Sequence, residues 1–210
     1  MRMEQKIKKI KNFAHNAQLI IVTKYQPLEL IKQLYHIGER EFGENKVQDL
    51  IQKQKLLPND IKWHMIGHLQ RNKVKLIAPF IHMIQSVDSL RLLSTIDKYA
   101  KQNNRIIKCL IQIKIAQEES KFGFEPKEAM ALFNSNTQKQ YANIKLSGIM
   151  CMASFTNDTQ QINQEFKLIK DLFDQLKLSK GILSMGMSND YQLAYQNGSN
   201  MLRIGSAIFN

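Results

Sequence analysis

Eight short apolar runs of strand character alternate with stretches of helical spacing along the 210-residue chain, and this alternation restricts the fold more than any other feature. The runs cover residues 19–23, 40–43, 62–66, 80–85, 106–115, 144–150, 182–185 and 201–204. Between them, apolar residues recur at helical intervals over 28–37, 47–56, 73–77, 90–100, 127–133, 162–176 and 191–195, the pattern of one buried helical face. Pro27 and Pro126 stand at two helix starts, and Asp88 and Asp190 precede two others as candidate N-caps. Strands joined by helical crossovers pair in parallel. Eight such units in a chain this short predict an α/β fold, a single-domain (β/α)8 TIM barrel over residues 19–210 behind a short N-terminal helix within 1–18. An open doubly wound sheet is the runner-up. Its usual six strands leave two unplaced, and no GxGxxG follows the first run.

Charge raises a different question. Thirty basic residues against eighteen acidic give a net charge of +12 and a pI near 9.7, which brings a nucleic-acid partner into consideration. Lysine supplies 24 of the basic residues and arginine only 6, scattered along the chain, while isoleucine (25) and asparagine (16) are also abundant. A biased codon supply that fills solvated faces with lysine accounts for all three. Base readout favours the bidentate fork of arginine, and no helix-turn-helix, zinc-finger or aromatic ribonucleoprotein pattern is present, so no nucleic-acid partner is expected. No apolar run nears the ~20 residues of a membrane span. The Lys6, Lys8, Lys9 and Lys11 cluster lacks the apolar stretch of a secretory signal. Cys109 and Cys151 lack metal-ligand spacing. The expectation is a reduced, cytoplasmic, monomeric protein.

A barrel collects function where its strands end. Lys24 follows the first run, Glu44 and Asn45 the second, and Gly67-His68-Leu69-Gln70 the third. Ser86 and Asp88 close the fourth, Gly186-Met187-Ser188 the seventh and Gly205-Ser206 the eighth. A lysine projecting into the mouth is expected to be partly buried, which disfavours its ammonium and frees a nucleophilic amine. Glycine and serine after the last two strands suit phosphate, since backbone N–H groups approach closely and hydroxyls add donors. Arg203 lies in an apolar run and needs a partner, with a structural ion pair as the alternative to a ligand. Amine, phosphate cradle and buried guanidinium together are what pyridoxal 5′-phosphate requires.

The segments Val22-Thr23-Lys24, Phe42-Gly43-Glu44-Asn45 and Trp63-His64-Met65-Ile66-Gly67-His68-Leu69-Gln70-Arg71-Asn72-Lys73 go further. With Ser86-Val87-Asp88-Ser89, Leu183-Ser184-Met185-Gly186-Met187-Ser188 and Arg203-Ile204-Gly205, they closely resemble the YggS/PROSC family of pyridoxal phosphate homeostasis proteins. The resemblance runs from about residue 19 to 209. It implies a barrel like the N-terminal domain of alanine racemase, the fold-type III group, with pyridoxal 5′-phosphate as cofactor. By motif position it implies that Lys24 is the Schiff-base lysine and that Ser188, Gly205 and Ser206 bind phosphate. It also implies that Arg203 contacts the pyridine nitrogen and that Asn45 lies near the ring. Thr23 stands where serine is usual and Ser206 where threonine is common; both swaps keep a hydroxyl. The family is associated with storing and delivering the cofactor, so apo-enzymes that use it are the expected transient partners.

Other signals read blandly. His64 and His68 are four apart on a strand and its loop rather than on a helix, so they do not form the HExxH zinc pair. His64 reads as barrel lining, His68 as a candidate for the mouth, His82 as core, and Cys151 as a thiol within reach of solvent. Two function classes remain: a cofactor carrier without turnover, and a racemase-like enzyme. Racemisation needs a base on the face opposite the lysine, and Tyr25, next to Lys24 and pointing to the opposite side of a strand-like segment, is a weak substitute. A phosphate-binding metabolic barrel without this cofactor would leave Lys24 unused and lacks an evident acid–base pair.

Overall fold

The computed structural model describes residues 2–115, 122–134 and 137–210. Eight parallel strands close into a barrel in sequence order. They are β1 (Gln18–Val22), β2 (Glu41–Glu44), β3 (Lys62–Met65), β4 (Met83–Val87), β5 (Ile107–Gln112), β6 (Ile144–Met150), β7 (Ile182–Ser184) and β8 (Met201–Ile204). The first and last strands pair from Gln18 against Met201 to Ile21 against Ile204, which seals the ring. Around it lie α1 (Met3–Phe13), α2 (Leu28–His36), α3 (Val47–Leu56), α4 (Val74–Ile77), α5 (Leu90–Gln102), α6 (Pro126–Asn134), α7 (Thr137–Gln140), α8 (Thr159–Gln175), α9 (Tyr191–Gln196) and α10 (Ser206–Phe209). No described helix is long and apolar enough to cross a membrane.

Strand alternation divides the interior into two layers. Ile20, Met83, Leu110, Met150 and Met201 fill the barrel itself. Their neighbours Leu19, Ile21, Trp63, Ile84, Ile111, Leu183, Leu202 and Ile204 face the helices and form the larger outer core with Ile31, Leu50, Ile96 and Phe166. Each such aliphatic side chain contributes roughly 1.5–3 kcal/mol by burial. Ile7, Ile10 and Ala14 tie α1 and its end to that outer layer.

Three local expectations need correction. The fourth strand starts at Met83 instead of residue 80, because Phe80 and Ile81 close the turn after α4 by donating to the Ile77 carbonyl (3.1 and 2.8 Å). The N-cap of α5 is Ser89, whose Oγ accepts from the Leu92 N–H, while Asp88 is engaged by His68. Asp190 heads α9 but makes no cap; its carboxylate accepts from the Met187 N–H and so holds the loop after β7.

Candidate functional site

Lys24, Asn45, Ser188, Arg203, Gly205 and Ser206 all stand at or just beyond the C-terminal ends of parallel strands, hence on one rim. Lys24 and Asn45 continue the inward registers of Ile20–Val22 and Glu41–Gly43. The expected partial burial of Lys24 does not occur: the residue is exposed. It sits in a turn whose next residue, Tyr25, takes a positive φ of 63° and is 70% exposed, with Lys46 Nζ 5.4 Å from its ring centre. The chain thus leaves the β ladder at once, and the amine stands in solvent at the rim.

The turn is anchored from behind. Thr23 continues the ladder through its N–H to the Gly43 carbonyl (3.0 Å). Its hydroxyl donates to Glu44 Oε1, and Lys53 Nζ donates to both the Thr23 carbonyl and Glu44 Oε1, at 2.7 Å each. This buried buckle clamps the ends of β1 and β2 to α3. Burial pushes the Glu44 carboxyl above its usual range, against the downward pull of Lys53 and Thr23. Nothing in the sequence distinguished Lys53 from other helix lysines.

On the other side of β1, the loops after β7 and β8 meet. Ser188 Oγ accepts from the N–H groups of Gly205 and Ala207, both at 3.2 Å. Ser206, at the head of α10, is exposed beside them. Gly186 has a φ of +95°, and a Cβ there would lie 2.6 Å from that of Ala194. Gly205 packs on β1: a Cβ there would meet the Val22 carbonyl at 3.1 Å. The structure brings Ser188, Gly205 and Ser206, which the sequence singled out, together at one rim, with the Ala207 N–H beside them, a donor that carries no side-chain signature.

Arg203 is buried and, among the described residues, has no carboxylate partner. Its Nη1 donates to Ser184 Oγ (2.6 Å) and its Nη2 to the Cys151 carbonyl (2.7 Å), so the ion-pair alternative is not the arrangement found. Burial lowers its pKa, with opposing pulls from Cys151 and Asp190, yet a guanidinium remains charged in any protein. From Arg203 a hydrogen-bonded chain crosses the barrel. Ser184 Oγ donates to Gln85 Oε1 (2.7 Å), Gln85 Nε2 meets His64 Nδ1 (3.0 Å), and His64 Nε2 meets Glu41 Oε2 (2.8 Å). Ser184 and Gln85 were missed, although polar residues on the inward face of apolar strands were the available signal. Asn45 Oδ1 is buried without a hydrogen-bond partner among the described residues.

The remaining residues divide. His64 lines the barrel as expected. His68 reaches the rim, where Nδ1 pairs with Asp88 (2.8 Å) and the ring stacks on Phe122 at 3.9 Å. His82 is not core: it is half-buried, because the late start of β4 leaves it outside the strand. Cys151 is fully buried rather than accessible, since its carbonyl is held by Arg203 beneath the rim.

The profile of the alanine racemase N-terminal domain family matches residues 1–210. The pyridoxal phosphate homeostasis protein of Helicobacter pylori is 40% identical over 93% of this chain and 88% of its own. The human protein of the same name is 38% identical over 91% and 75%. This chain belongs to the pyridoxal phosphate homeostasis protein family. Among solved structures, PipY of Synechococcus elongatus matches this family member over the full length of both chains at 29% identity. The TM-score is 0.93 without PLP and 0.90 with PLP bound. Alanine racemase of Clostridium difficile shares the fold, with a TM-score of 0.77 over 99% of this chain and 56% of its own at 15% identity.

Proposed function

We propose that the chain holds pyridoxal 5′-phosphate at the C-terminal rim of its barrel and acts in storing and delivering it. The observation that carries this reading is the rim itself. An exposed amine, convergent N–H donors, a buried guanidinium with donors to spare and the unsatisfied Asn45 Oδ1 stand on one end of one barrel. These groups fit an anionic, planar aldehyde. When bound, the cofactor supplies a carbonyl that amines capture and a ring that withdraws electrons.

Each residue then has a task. Lys24 supplies the amine from the open turn. Ser188, Gly205 and Ser206 hold the phosphate, with Gly205 and Ala207 N–H groups released from Ser188 Oγ to donate to it. Arg203, fixed at two of its five donors, presents the rest to the ring nitrogen; it gives hydrogen bonds and never accepts, so that nitrogen stays unprotonated. Asn45 borders the ring. Tyr25, the nearest candidate for a base facing Lys24, is engaged with Lys46 at the rim's outer edge. An exposed Lys24 is within reach of water and of an acceptor's amines, which suits transfer to apo-enzymes by a cytoplasmic monomer better than turnover.

The test is absorbance of cofactor-loaded protein before and after borohydride, followed by peptide mapping. The label should sit on Lys24. Lys24→Ala should lose the label yet retain weaker, non-covalent binding through Ser188, Gly205 and Ser206. A label on another lysine overturns the site. Stereo-inversion of an amino acid at an ordinary rate, on the order of 1 s⁻¹, overturns the carrier reading in favour of the racemase.

A further inference from the structure

The opposite end of the barrel gathers a second set of ligand-bearing side chains. Glu41 opens β2, His64 lies on β3 and His82 directly precedes β4, three neighbours in the ring. One ligand atom from each lies within 4.8 Å of the other two. His64 Nε2 and Glu41 Oε2 are 2.8 Å apart, and the His82 ring centre is 5.5 Å from that of His64. The His82 N–H donates to the Trp63 carbonyl (3.0 Å), whereas its ring nitrogens make no hydrogen bond among the described residues. We propose that Glu41, His64 and His82 bind a divalent transition-metal ion of the zinc class at the N-terminal end of the barrel.

The donor set is two imidazoles and one carboxylate, with a fourth position left to water. Zinc holds nitrogen and oxygen at about 2.0–2.2 Å, so tetrahedral neighbours stand roughly 3.3–3.5 Å apart. Modest side-chain rotation from the observed spacing reaches that value. The ion replaces the proton shared by His64 and Glu41, and that proton moves to His64 Nδ1. Turning the Gln85 amide end for end then presents Oε1 to accept it, the outer-shell bond that metal-bound histidines generally make, while Ser184 Oγ gives up its donor bond to Oε1 and accepts from Gln85 Nε2 instead. Two cations work against the ion. Lys62 holds Glu41 Oε1 at 2.9 Å, leaving Oε2 for the metal, and Lys108, paired in register with Met83 on β4, borders the cluster. A metal here would staple three adjacent strands at the end of the barrel that serves stability.

Tag-free full-length protein, stripped with chelator, is titrated with Zn²⁺ by calorimetry and with Co²⁺ by visible absorption. One saturable equivalent is expected. His82→Ala should weaken it by at least the ~10–100-fold that loss of an outer-shell partner costs, and Glu41→Gln should do likewise. Lys62→Ala, which frees Glu41 of its competitor, should tighten it. His36→Ala, on the exposed face of α2, should leave it unchanged. Far-UV circular dichroism confirms folding of each variant. No saturable binding by the wild type, equal affinity in His82→Ala, or equal loss in His36→Ala overturns the site.

Discussion

Cys151 shows how position within a strand register decides chemistry. It follows Met150 directly and alternation sends it away from the barrel interior, into the layer beneath the helices. Burial pushes its thiol up to about 12, against the pull of Arg203, and pushes Cys109 higher still. An exposed thiol titrates near 8.5, so it gains thiolate steadily between about pH 7 and 9 and reacts faster. Neither cysteine here should do so. A disulfide-exchange reagent should label no thiol in the native protein across that range and two per chain in denaturant. A native thiol whose labelling rises with pH would show that the layer opens.

At the scale of elements, the buckle of Thr23, Glu44 and Lys53 joins β1, β2 and α3. Lys53→Ala would leave the fully buried Glu44 carboxylate without its cation, and breaking such a pair from one side costs about 3–5 kcal/mol. Replacing both with apolar residues, Lys53→Met with Glu44→Leu, should restore much of that loss. Urea denaturation midpoints check the comparison; additive losses would mean that the two groups do not stabilise one another. The same elements show what the sequence makes legible. Apolar alternation located all eight strands, because inward and outward layers both demand it. Boundaries slipped where local hydrogen bonds compete with periodicity, as at Phe80 and Ile81 before β4 and at Ser89 ahead of α5. The rim residues were visible because glycine, serine and lysine interrupt apolar runs at strand ends. Lys53 was not, because a buried helix lysine differs from a solvated one only in what packs above it.

Across the whole molecule, one polar chain runs through the barrel from rim to base. Its donors point one way. Arg203 gives to Ser184, Ser184 to Gln85, Gln85 to His64 and His64 to Glu41, which assigns the His64 proton to Nε2. Burial lowers the His64 pKa against the pull of Glu41, so the ring is neutral at physiological pH and can accept from Gln85. Gln85 is the central link, accepting through Oε1 and donating through Nε2, and it joins the rim half of the chain to the base half. Gln85→Leu keeps the volume but leaves Ser184 Oγ without its acceptor and His64 Nδ1 without its donor. Each buried group left unmatched costs about 1–3 kcal/mol, so the free energy of unfolding should fall by a few kcal/mol. Arg203 would also lose the fixed hydroxyl that orients its Nη1, and affinity for pyridoxal phosphate at the rim should fall about tenfold, the equivalent of one hydrogen bond to a charged group. Gln85→Glu separates the two effects. A carboxylate there still accepts from Ser184 and so should keep cofactor affinity near that of the wild type, while it can no longer donate to His64. Chemical denaturation and cofactor titration on the two variants read stability and rim geometry independently. Unchanged affinity in Gln85→Leu would show that Arg203 is held by the Cys151 carbonyl alone, and that rim and base are energetically separate.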